Sequence, residues 1–155
     1  MSTLFLHGLD SSGFGTKGRF FAEHFPGMDR PDFEGSLEQR LERLKTIVSD
    51  REELVMVGSS FGGLMATCHA ISYPQQVKRL ILLAPALNFD QWQPPETLLS
   101  VECFLYIGEH DTVTPPNLVV PLSRKTFLDP NITIVDDDHL LHKSFYSLNW
   151  SELLS

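Results

Sequence analysis

Cysteine and positive charge are both scarce in this sequence. Its two cysteines, Cys68 and Cys103, lie in apolar surroundings and are too few to form a disulfide framework. Lys and Arg number 12 against 20 Asp and Glu, which gives a net charge of -8, and no basic cluster is present. This charge balance argues against nucleic acid and against an anionic membrane surface as partners. We expect the two thiols to be inert core residues in a reducing compartment.

Long hydrophobic runs are absent as well. No stretch approaches the roughly 20 apolar residues that a membrane-spanning helix needs. The opening residues, Met-Ser-Thr-Leu-Phe-Leu-His-Gly, contain no basic segment, and their apolar run is too short for a signal peptide. We therefore expect a cytoplasmic protein. The 155 residues are 42% hydrophobic, so residues 1–155 are expected to form a single domain with a substantial core. The oligomeric state stays open.

The most informative stretch is an apolar run followed by a glycine-rich turn. Residues 54–57 read as a strand buried on both faces, and Gly58 to Gly62 match the pattern Gly-x-Ser-x-Gly. An apolar helix-forming stretch follows. A strand, a sharp turn and a helix in this order are typical of a nucleophile elbow, which holds Ser60 at a strained angle with its hydroxyl exposed. The N–H of Phe61, at the helix start, can then face a developing oxyanion.

Strand and helix signals alternate along the rest of the chain. Further strands are predicted for residues 3–6, 28–33, 80–83, 103–107 and 131–135, and Pro31 makes the second of these an edge candidate. Helices are predicted for residues 18–24, from a capping box at Ser36 and Gln39 to about residue 49, from the glycine-rich turn to residue 73, from about residue 116 to residue 127, and at the C-terminus through Leu140, Leu141, Phe145 and Leu148. This alternation predicts an α/β fold with a mostly parallel sheet.

Three chemically reactive side chains each follow a predicted strand. Ser60 follows residues 54–57, Asp111 follows residues 103–107, and His139 follows residues 131–135. The carboxyl ends of parallel strands meet at one edge of a sheet, so we expect these side chains to converge. A serine hydroxyl needs an imidazole to take its proton, and a carboxylate holds the other ring nitrogen. The sequence therefore predicts Ser60 as nucleophile, His139 as base and Asp111 as its orienting partner.

Other interpretations of the histidines stay open. His142 is an alternative base, and with His139 it has the spacing of two metal ligands on a helix. The metal site is the less favoured interpretation, because His139 already has a candidate catalytic role and no cysteines accompany the two histidines. His110 is expected to point away from the site. The acidic run from Asp136 to Asp138 is expected to be a solvated turn.

A second glycine pattern lies near the N-terminus. Residues Gly13 to Gly18 satisfy Gly-x-Gly-x-x-Gly, and Asp32 and Glu34 follow at about the distance expected in a dinucleotide site. Such a site begins directly at a strand end, whereas Gly13 comes several residues later, so a flexible loop is favoured. Four apolar residues in loops are candidates either for an acyl pocket or for simple packing: Phe14, Leu87, Phe89 and Trp92.

The sequence resembles the α/β-hydrolases, and is similar to small, nearly lidless members such as the YqiA-like and retinoblastoma-binding-protein-9-like serine hydrolases. The resemblance covers Phe-Leu-His-Gly at 5–8, Gly-Ser-Ser-Phe-Gly-Gly at 58–63, Gly-x-x-Asp-x-x-x-Pro at 108–115 and Asp-His at 138–139. It implies a three-layer fold with a minimal lid or none. Larger members carry two extra strands before the one that corresponds to the first strand here. Because this sequence starts directly at that strand, about six strands are expected in its sheet. The turn after His7 then implies the N–H of Leu9 as the second oxyanion donor, with His7 structural.

The resemblance also implies a reaction. It points to a serine hydrolase that cleaves small carboxyl esters or thioesters through an acyl-enzyme, with a small-molecule substrate and no cofactor. The alternative is a non-catalytic module that keeps the hydrolase fold for protein interaction. The complete set of predicted catalytic residues argues against that alternative.

Overall fold

Five parallel strands form the centre of the molecule in the computed structural model, which describes residues 1–155. They are β1 (Ser2–Leu6), β2 (Leu54–Ser59), β3 (Val77–Leu83), β4 (Glu102–Gly108) and β5 (Asn131–Val135). The strands lie side by side in the order in which they occur along the chain, and every neighbouring pair is parallel. The predicted α/β fold with a parallel sheet is confirmed.

Helices connect most of the strands. They are α1 (Thr16–His24), α2 (Leu37–Ile47), α3 (Phe61–Ser72), α4 (Pro116–Thr126) and two single turns, α5 (Ser144–Ser147) and α6 (Trp150–Leu153). The predicted capping box opens α2: the Ser36 hydroxyl accepts from the Gln39 N–H, and the Gln39 side chain accepts from the Ser36 N–H. Helix α3 ends at Ser72, just before Pro74, because the residue preceding a proline disfavours helical backbone angles.

Two apolar cores cover the two faces of the sheet. Successive strand residues point to opposite faces, so Leu4 and Met56 pack beneath α2, α3 and α4, whereas Phe5 and Val57 pack beneath α1, α5 and α6. The result is a three-layer arrangement with helices on both sides of the sheet. None of the helices has the length and hydrophobicity needed to span a bilayer.

The sixth strand predicted at residues 28–33 is reduced to a single bridge. The Asp29 N–H donates to the Thr3 carbonyl at 3.0 Å, and the Phe5 N–H donates to the Asp29 carbonyl at 2.9 Å. The next ladder donor would belong to Pro31, which has no N–H. The sheet therefore has five strands rather than about six.

The predicted C-terminal helix is also different. Leu141 has a φ of 52°, which is incompatible with a helix running through it. The Asn149 side chain starts a separate turn, α6, by accepting from the Glu152 N–H. Consequently His139 and His142 lie in the turn before α5, not on a helix.

The segment between β3 and β4 contains no helix, so the prediction of a minimal or absent lid is confirmed. It lies against the core through the buried side chains of Leu87 and Leu99. Leu99 also accepts from the Leu128 N–H at 2.9 Å, which fastens the segment to the end of α4.

Candidate active site

Ser60 occupies a strained bend between β2 and α3. Its φ is 55° and its ψ is -115°, a conformation that costs a non-glycine residue about 1–3 kcal/mol. The bend is held from the end of β3: the Ser60 N–H donates to the Leu83 carbonyl, and the Ser60 carbonyl accepts from the Ala86 N–H, both at 2.9 Å. The surrounding backbone thus maintains the strain that exposes the serine side chain.

Glycine is required on both sides of Ser60. A Cβ at Gly62 would lie 1.9 Å from the Leu6 carbonyl oxygen, and one at Gly58 would lie 2.4 Å from the Gly62 carbonyl oxygen. The start of α3 therefore packs directly on the carboxyl end of β1. This close approach brings Ser60 beside the loop that follows β1.

The structure brings Ser60, His139 and Asp111 together. His139 Nε2 lies 3.1 Å from Ser60 Oγ, and His139 Nδ1 lies 2.7 Å from Asp111 Oδ2. Asp111 accepts only, so Nδ1 carries the proton that it donates, and Nε2 is left to accept from the serine hydroxyl. The side chain of Asp111 is fully buried, while that of His139 is 19% exposed. The three strand ends thus assemble one hydrogen-bonded chain.

The buried Asp111 carboxylate is surrounded by donors. Burial would raise its pKa, but the His139 bond and the donors of Thr114 and Val113 outweigh that effect, and its pKa lies below the ordinary value. The Val113 and Thr114 N–H groups each donate to Oδ1 at 2.8 Å. The carboxylate is therefore charged and able to stabilise an imidazolium.

Thr114 is a residue of this site that the sequence did not single out. Its hydroxyl oxygen lies 2.7 Å from Asp111 Oδ2, 3.1 Å from His139 Nδ1 and 3.2 Å from the Ala84 carbonyl oxygen. The residue is 2% exposed. A threonine three residues after an aspartate in a turn is the available signal, since such hydroxyls bond locally. Thr114 orients the pair of Asp111 and His139.

Asp137 corrects the prediction that the acidic run is simply solvated. It is buried, and its carboxylate accepts from the N–H groups of Asp138, Lys143 and Ser144 at 2.8–3.0 Å. Burial would raise its pKa, but these donors, led by Ser144, lower the pKa well below its ordinary value. The Asp137 carboxylate thus links the turn that carries His139 to the start of α5.

The rival histidines are engaged elsewhere. His142 Nδ1 lies 2.6 Å from Asp138 Oδ2, and His110 Nε2 lies 2.8 Å from Asp136 Oδ1; all four side chains are exposed. Neither ring bonds to Ser60, and both nitrogens of His139 are already occupied. A metal held jointly by His139 and His142 is therefore not favoured.

Side chains of the kinds that bind metal ions lie close together at one other place. Glu109, His110 and Asp136 are exposed, and their ligand-type atoms lie within 4.8 Å of one another. This group excludes His139, His142 and Ser60. It is separate from the hydrogen-bonded chain described above.

Two backbone donors flank Ser60. Phe61 is the first residue of α3, so its N–H has no acceptor within the helix, and the Leu9 N–H donates to no group of the protein. The Phe33 N–H donates to Nε2 of the buried His7 ring at 2.8 Å, so Nε2 carries no proton. The other ring nitrogen, Nδ1, therefore carries the proton and donates to the Gly8 carbonyl at 2.6 Å. Because the N–H and C=O of a trans peptide point in opposite directions, His7 also fixes the direction of the Leu9 N–H.

A cavity of about 490 Å³ opens beside Ser60 and His139. It is enclosed by the loop after β1, the start of α1 and the turn around residues 139–146. Its walls also include Ser11, Thr16 and Lys17. None of the apolar residues considered for the acyl pocket lines it: Leu87, Phe89 and Trp92 pack on the core beneath α2 and α3, and Phe14 is exposed.

The Gly13–Gly18 loop binds its own chain. The Gly13 N–H donates to Asp32 Oδ1 at 2.7 Å, and Arg30 donates to the carbonyls of Gly13 and Gly18 at 2.8 and 3.3 Å. A Cβ at Gly18 would lie 2.1 Å from the Gly13 carbonyl oxygen. The glycines thus allow a compact loop. Asp32, which would face a ribose in a dinucleotide site, accepts a hydrogen bond from that loop instead.

Known proteins similar to this chain include an abhydrolase domain-containing protein, a lipase and an acetyltransferase. The chain is 33% identical over 89 residues to an abhydrolase domain-containing protein of Caenorhabditis elegans, covering 57% of this chain and 19% of that protein. It is 34% identical over 80 residues to the mouse (lyso)-N-acylphosphatidylethanolamine lipase, covering 52% and 22%. The chain thus spans about a fifth of the length of these relatives.

A solved structure agrees over nearly the whole chain. An α/β-superfamily protein from Xanthomonas campestris pv. campestris superposes with a TM-score of 0.75 and 25% identity, covering 95% of this chain and 93% of that one. The model of one hydrolase family matches residues 4–103, well over half of the sequence. On this evidence, the chain belongs to the α/β-hydrolase family described as serine aminopeptidase, S33.

Proposed function

We propose that the protein hydrolyses small carboxyl esters or thioesters through an acyl-enzyme on Ser60. The observation that carries this proposal is the unbroken hydrogen-bonded chain from Ser60 Oγ through His139 to Asp111. Membership of a hydrolase family supports it, as does similarity to a lipase. The strained bend at Ser60 supports it further, because backbone strain of this kind persists where function requires it.

The first half of the reaction acylates Ser60. His139 Nε2 takes the hydroxyl proton as Oγ attacks the carbonyl carbon, and the resulting oxyanion is received by the N–H groups of Leu9 and Phe61. Asp111 stabilises the imidazolium that forms. The imidazolium then gives its proton to the leaving oxygen or sulfur, and the bond to the acyl carbon breaks.

The second half releases the acid. His139 takes a proton from water, and the resulting hydroxide attacks the acyl carbon. The same two N–H groups receive the second oxyanion, and collapse returns the proton from His139 to Ser60 Oγ. Every proton moves between substrate, water and side chains of this chain.

A preference for short acyl groups follows from the shape of the site. The segment between β3 and β4 carries no lid helix, and the exposed side chains of Leu9 and Val113 lie at the cavity beside Ser60. A long alkyl chain would therefore leave much of its surface in water and gain little from burial. We expect p-nitrophenyl acetate and butyrate to be better substrates than p-nitrophenyl palmitate, and a preference for palmitate would contradict this part of the proposal.

The decisive experiment is labelling of Ser60 with a fluorophosphonate probe, followed by assay on the same esters. Labelling is expected in the wild type and absent in Ser60→Ala, with kcat reduced by at least about 10⁴-fold in Ser60→Ala and His139→Ala. His142→Ala tests the rival base and should retain labelling. An unlabelled wild type would favour the non-catalytic alternative, and loss of labelling in His142→Ala but not in His139→Ala would overturn the assignment of the base.

A further inference from the structure

Lys17 lies in the wall of the cavity that contains Ser60 and His139. It is the second residue of α1 and is partly buried. Its Nζ donates to the Leu140 carbonyl at 2.8 Å and lies 5.5 Å from the centre of the Phe145 ring. Helix α1 thereby brings Lys17 to the cavity that contains Ser60, and within the protein only one of the three N–H donors of its ammonium group is used.

No carboxylate lies within ion-pair distance of this ammonium group. Burial lowers the pKa of Lys17, and the more distant charges of Asp138 and Asp137 oppose that shift in part. Asp138 is paired with His142, and Asp137 is already bonded to backbone donors. A partly dehydrated cation that is not directly paired with a carboxylate is costly, and an anion arriving in the cavity would offset that cost.

We propose that the substrate carries an anionic group, a carboxylate or a phosphate, which Lys17 binds while the scissile acyl carbon lies at Ser60. The inference deepens the proposed hydrolase function and rests on it. Lys17 is a specificity residue in this scheme and takes no part in the bond-breaking steps. The hydroxyls of Ser11 and Thr16, in the same wall, are further donors for the anion.

The rest of the cavity suits a short spacer between the ester and the anion. Leu141, Phe145 and Tyr146 line it with apolar surface, and its volume of about 490 Å³ is in the range that holds small molecules. Asp10 is the acidic residue of the wall, and the whole chain carries a net charge of -8. Long-range attraction of an anion is therefore absent, and selectivity must come from the local contact with Lys17.

The test compares esters that differ only in charge. In the acyl arm, p-nitrophenyl hydrogen succinate is compared with its neutral methyl ester. In the alcohol arm, 4-acetoxybenzoate is compared with its methyl ester. We expect the wild type to favour the anionic ester in one arm, and Lys17→Met to lower the ratio of kcat/KM values, anionic over neutral, by about 10- to 100-fold.

Controls separate binding of the anion from a structural role. Lys17→Met keeps the apolar stem over Phe145 but loses the bond to Leu140, so a purely structural effect lowers kcat/KM for both esters and leaves the ratio unchanged. Lys17→Arg should keep the ratio, and so should Lys125→Met, which removes an exposed charge at the far end of α4. Free succinate or phosphate should also slow probe labelling of wild-type Ser60 more than that of Lys17→Met.

The outcomes distinguish this inference from the proposed function. Equal kcat/KM values for both esters in both arms, or a ratio that survives Lys17→Met, would overturn the role of Lys17 and leave the hydrolase intact. Absence of Ser60 labelling together with no hydrolysis of any ester would overturn both. A charge preference lost only in Lys17→Met supports both.

Discussion

Backbone and hydroxyl donors determine the charge of Asp111. Three of its hydrogen bonds come from Val113 and Thr114, two and three residues further along the chain, and only one comes from His139. The turn after β4 therefore prepares a charged, fixed acceptor before the imidazole arrives. In the proposed reaction, preorganisation of this kind would spare the site from rearranging when charge develops on His139.

Thr114→Val tests this arrangement. The valine keeps the volume but removes the hydroxyl, so the pKa of Asp111 should rise toward its ordinary value and His139 should lose part of its alignment. We expect kcat to fall about 10-fold with little change in KM, because one hydrogen bond to a charged group is lost. Steady-state kinetics on p-nitrophenyl butyrate measure the effect, and Thr114→Ser should restore most of the rate. Equal losses in both variants would point to packing instead.

At the residue scale, the sequence predicted those side chains that belong to a recognisable pattern. Ser60, Asp111 and His139 stand out because they follow three separate strands in the order serine, aspartate, histidine. Thr114 and Lys17 belong to no such pattern. Their positions relative to the nucleophile depend on packing between distant segments, which one sequence does not reveal.

At the scale of elements, the turn after β5 does most to place His139, the proposed base. Asp137 bonds to the N–H groups of Lys143 and Ser144, and the carbonyls of Asp137 and Asp138 lie close to Gly108 at the end of β4. The turn is thus held both to its own continuation and to the neighbouring strand. His139 takes its position from these two attachments.

Asp137→Asn should change how stability depends on pH. The pKa of Asp137 is lower in the folded protein than its ordinary 3.8, so its stabilising contribution is fully present above that pH and is lost as the pH falls toward the folded value. We expect the variant to be less stable by about 2 kcal/mol at pH 7, with the difference narrowing below pH 3.8. Urea unfolding from pH 7 to pH 2.5 measures it. Asp136→Asn, at an exposed neighbour, should show little effect; a pH-independent difference for Asp137→Asn would contradict the argument.

Gly108→Ala should displace the same turn from the other side. The added Cβ would lie 2.5 Å from the Asp138 carbonyl oxygen and 2.6 Å from that of Asp137, so the turn must move outward by close to 1 Å. We expect a fall of about 10²-fold in kcat, since misplacement of this size is that costly. Gly27→Ala is the matched control, because a Cβ there meets nothing within 4 Å. Unchanged kcat in Gly108→Ala would show that the turn tolerates the shift.

The sequence also located most elements, and its failures have local causes. The buried strand 54–57 and the capping box before α2 depend on neighbouring residues, and both are present as predicted. The strand predicted at residues 28–33 does not form because Pro31 occupies the position whose backbone N–H would donate next to β1, and proline has no N–H. Which residue falls on a donor position depends on the pairing register. The predicted C-terminal helix is interrupted at Leu141, which has a positive φ and a fully buried side chain, neither of which helix propensity reveals.

At the scale of the whole molecule, an aromatic cluster joins the two ends of the chain. The Phe21 ring in α1 lies 5.5 Å from that of Phe145 and 4.9 Å from that of Trp150, both edge to face. Phe145 also lines the cavity beside Ser60. The same contacts therefore stabilise the fold and enclose the site.

Phe21→Ala should be strongly destabilising. Phe21 is fully buried, so the substitution leaves a large cavity, and we expect the free energy of unfolding to fall by about 3–5 kcal/mol. Phe14→Ala, seven residues earlier and 63% exposed, should change it by no more than about 0.5 kcal/mol. Urea denaturation of the two variants gives both values. Similar losses at the two positions would show that the cluster does not dominate this half of the molecule.

The order of the strands in the sheet has a consequence for biosynthesis. A ribosome delivers β1 to β5 in the order in which they pair, so each new strand meets a finished neighbour. The serine bend emerges early, whereas the imidazole arrives only with the last strand. A nascent polypeptide that stops short of the last strand therefore has the serine without the imidazole, and chemical reactivity at that serine should report that all five strands have been assembled.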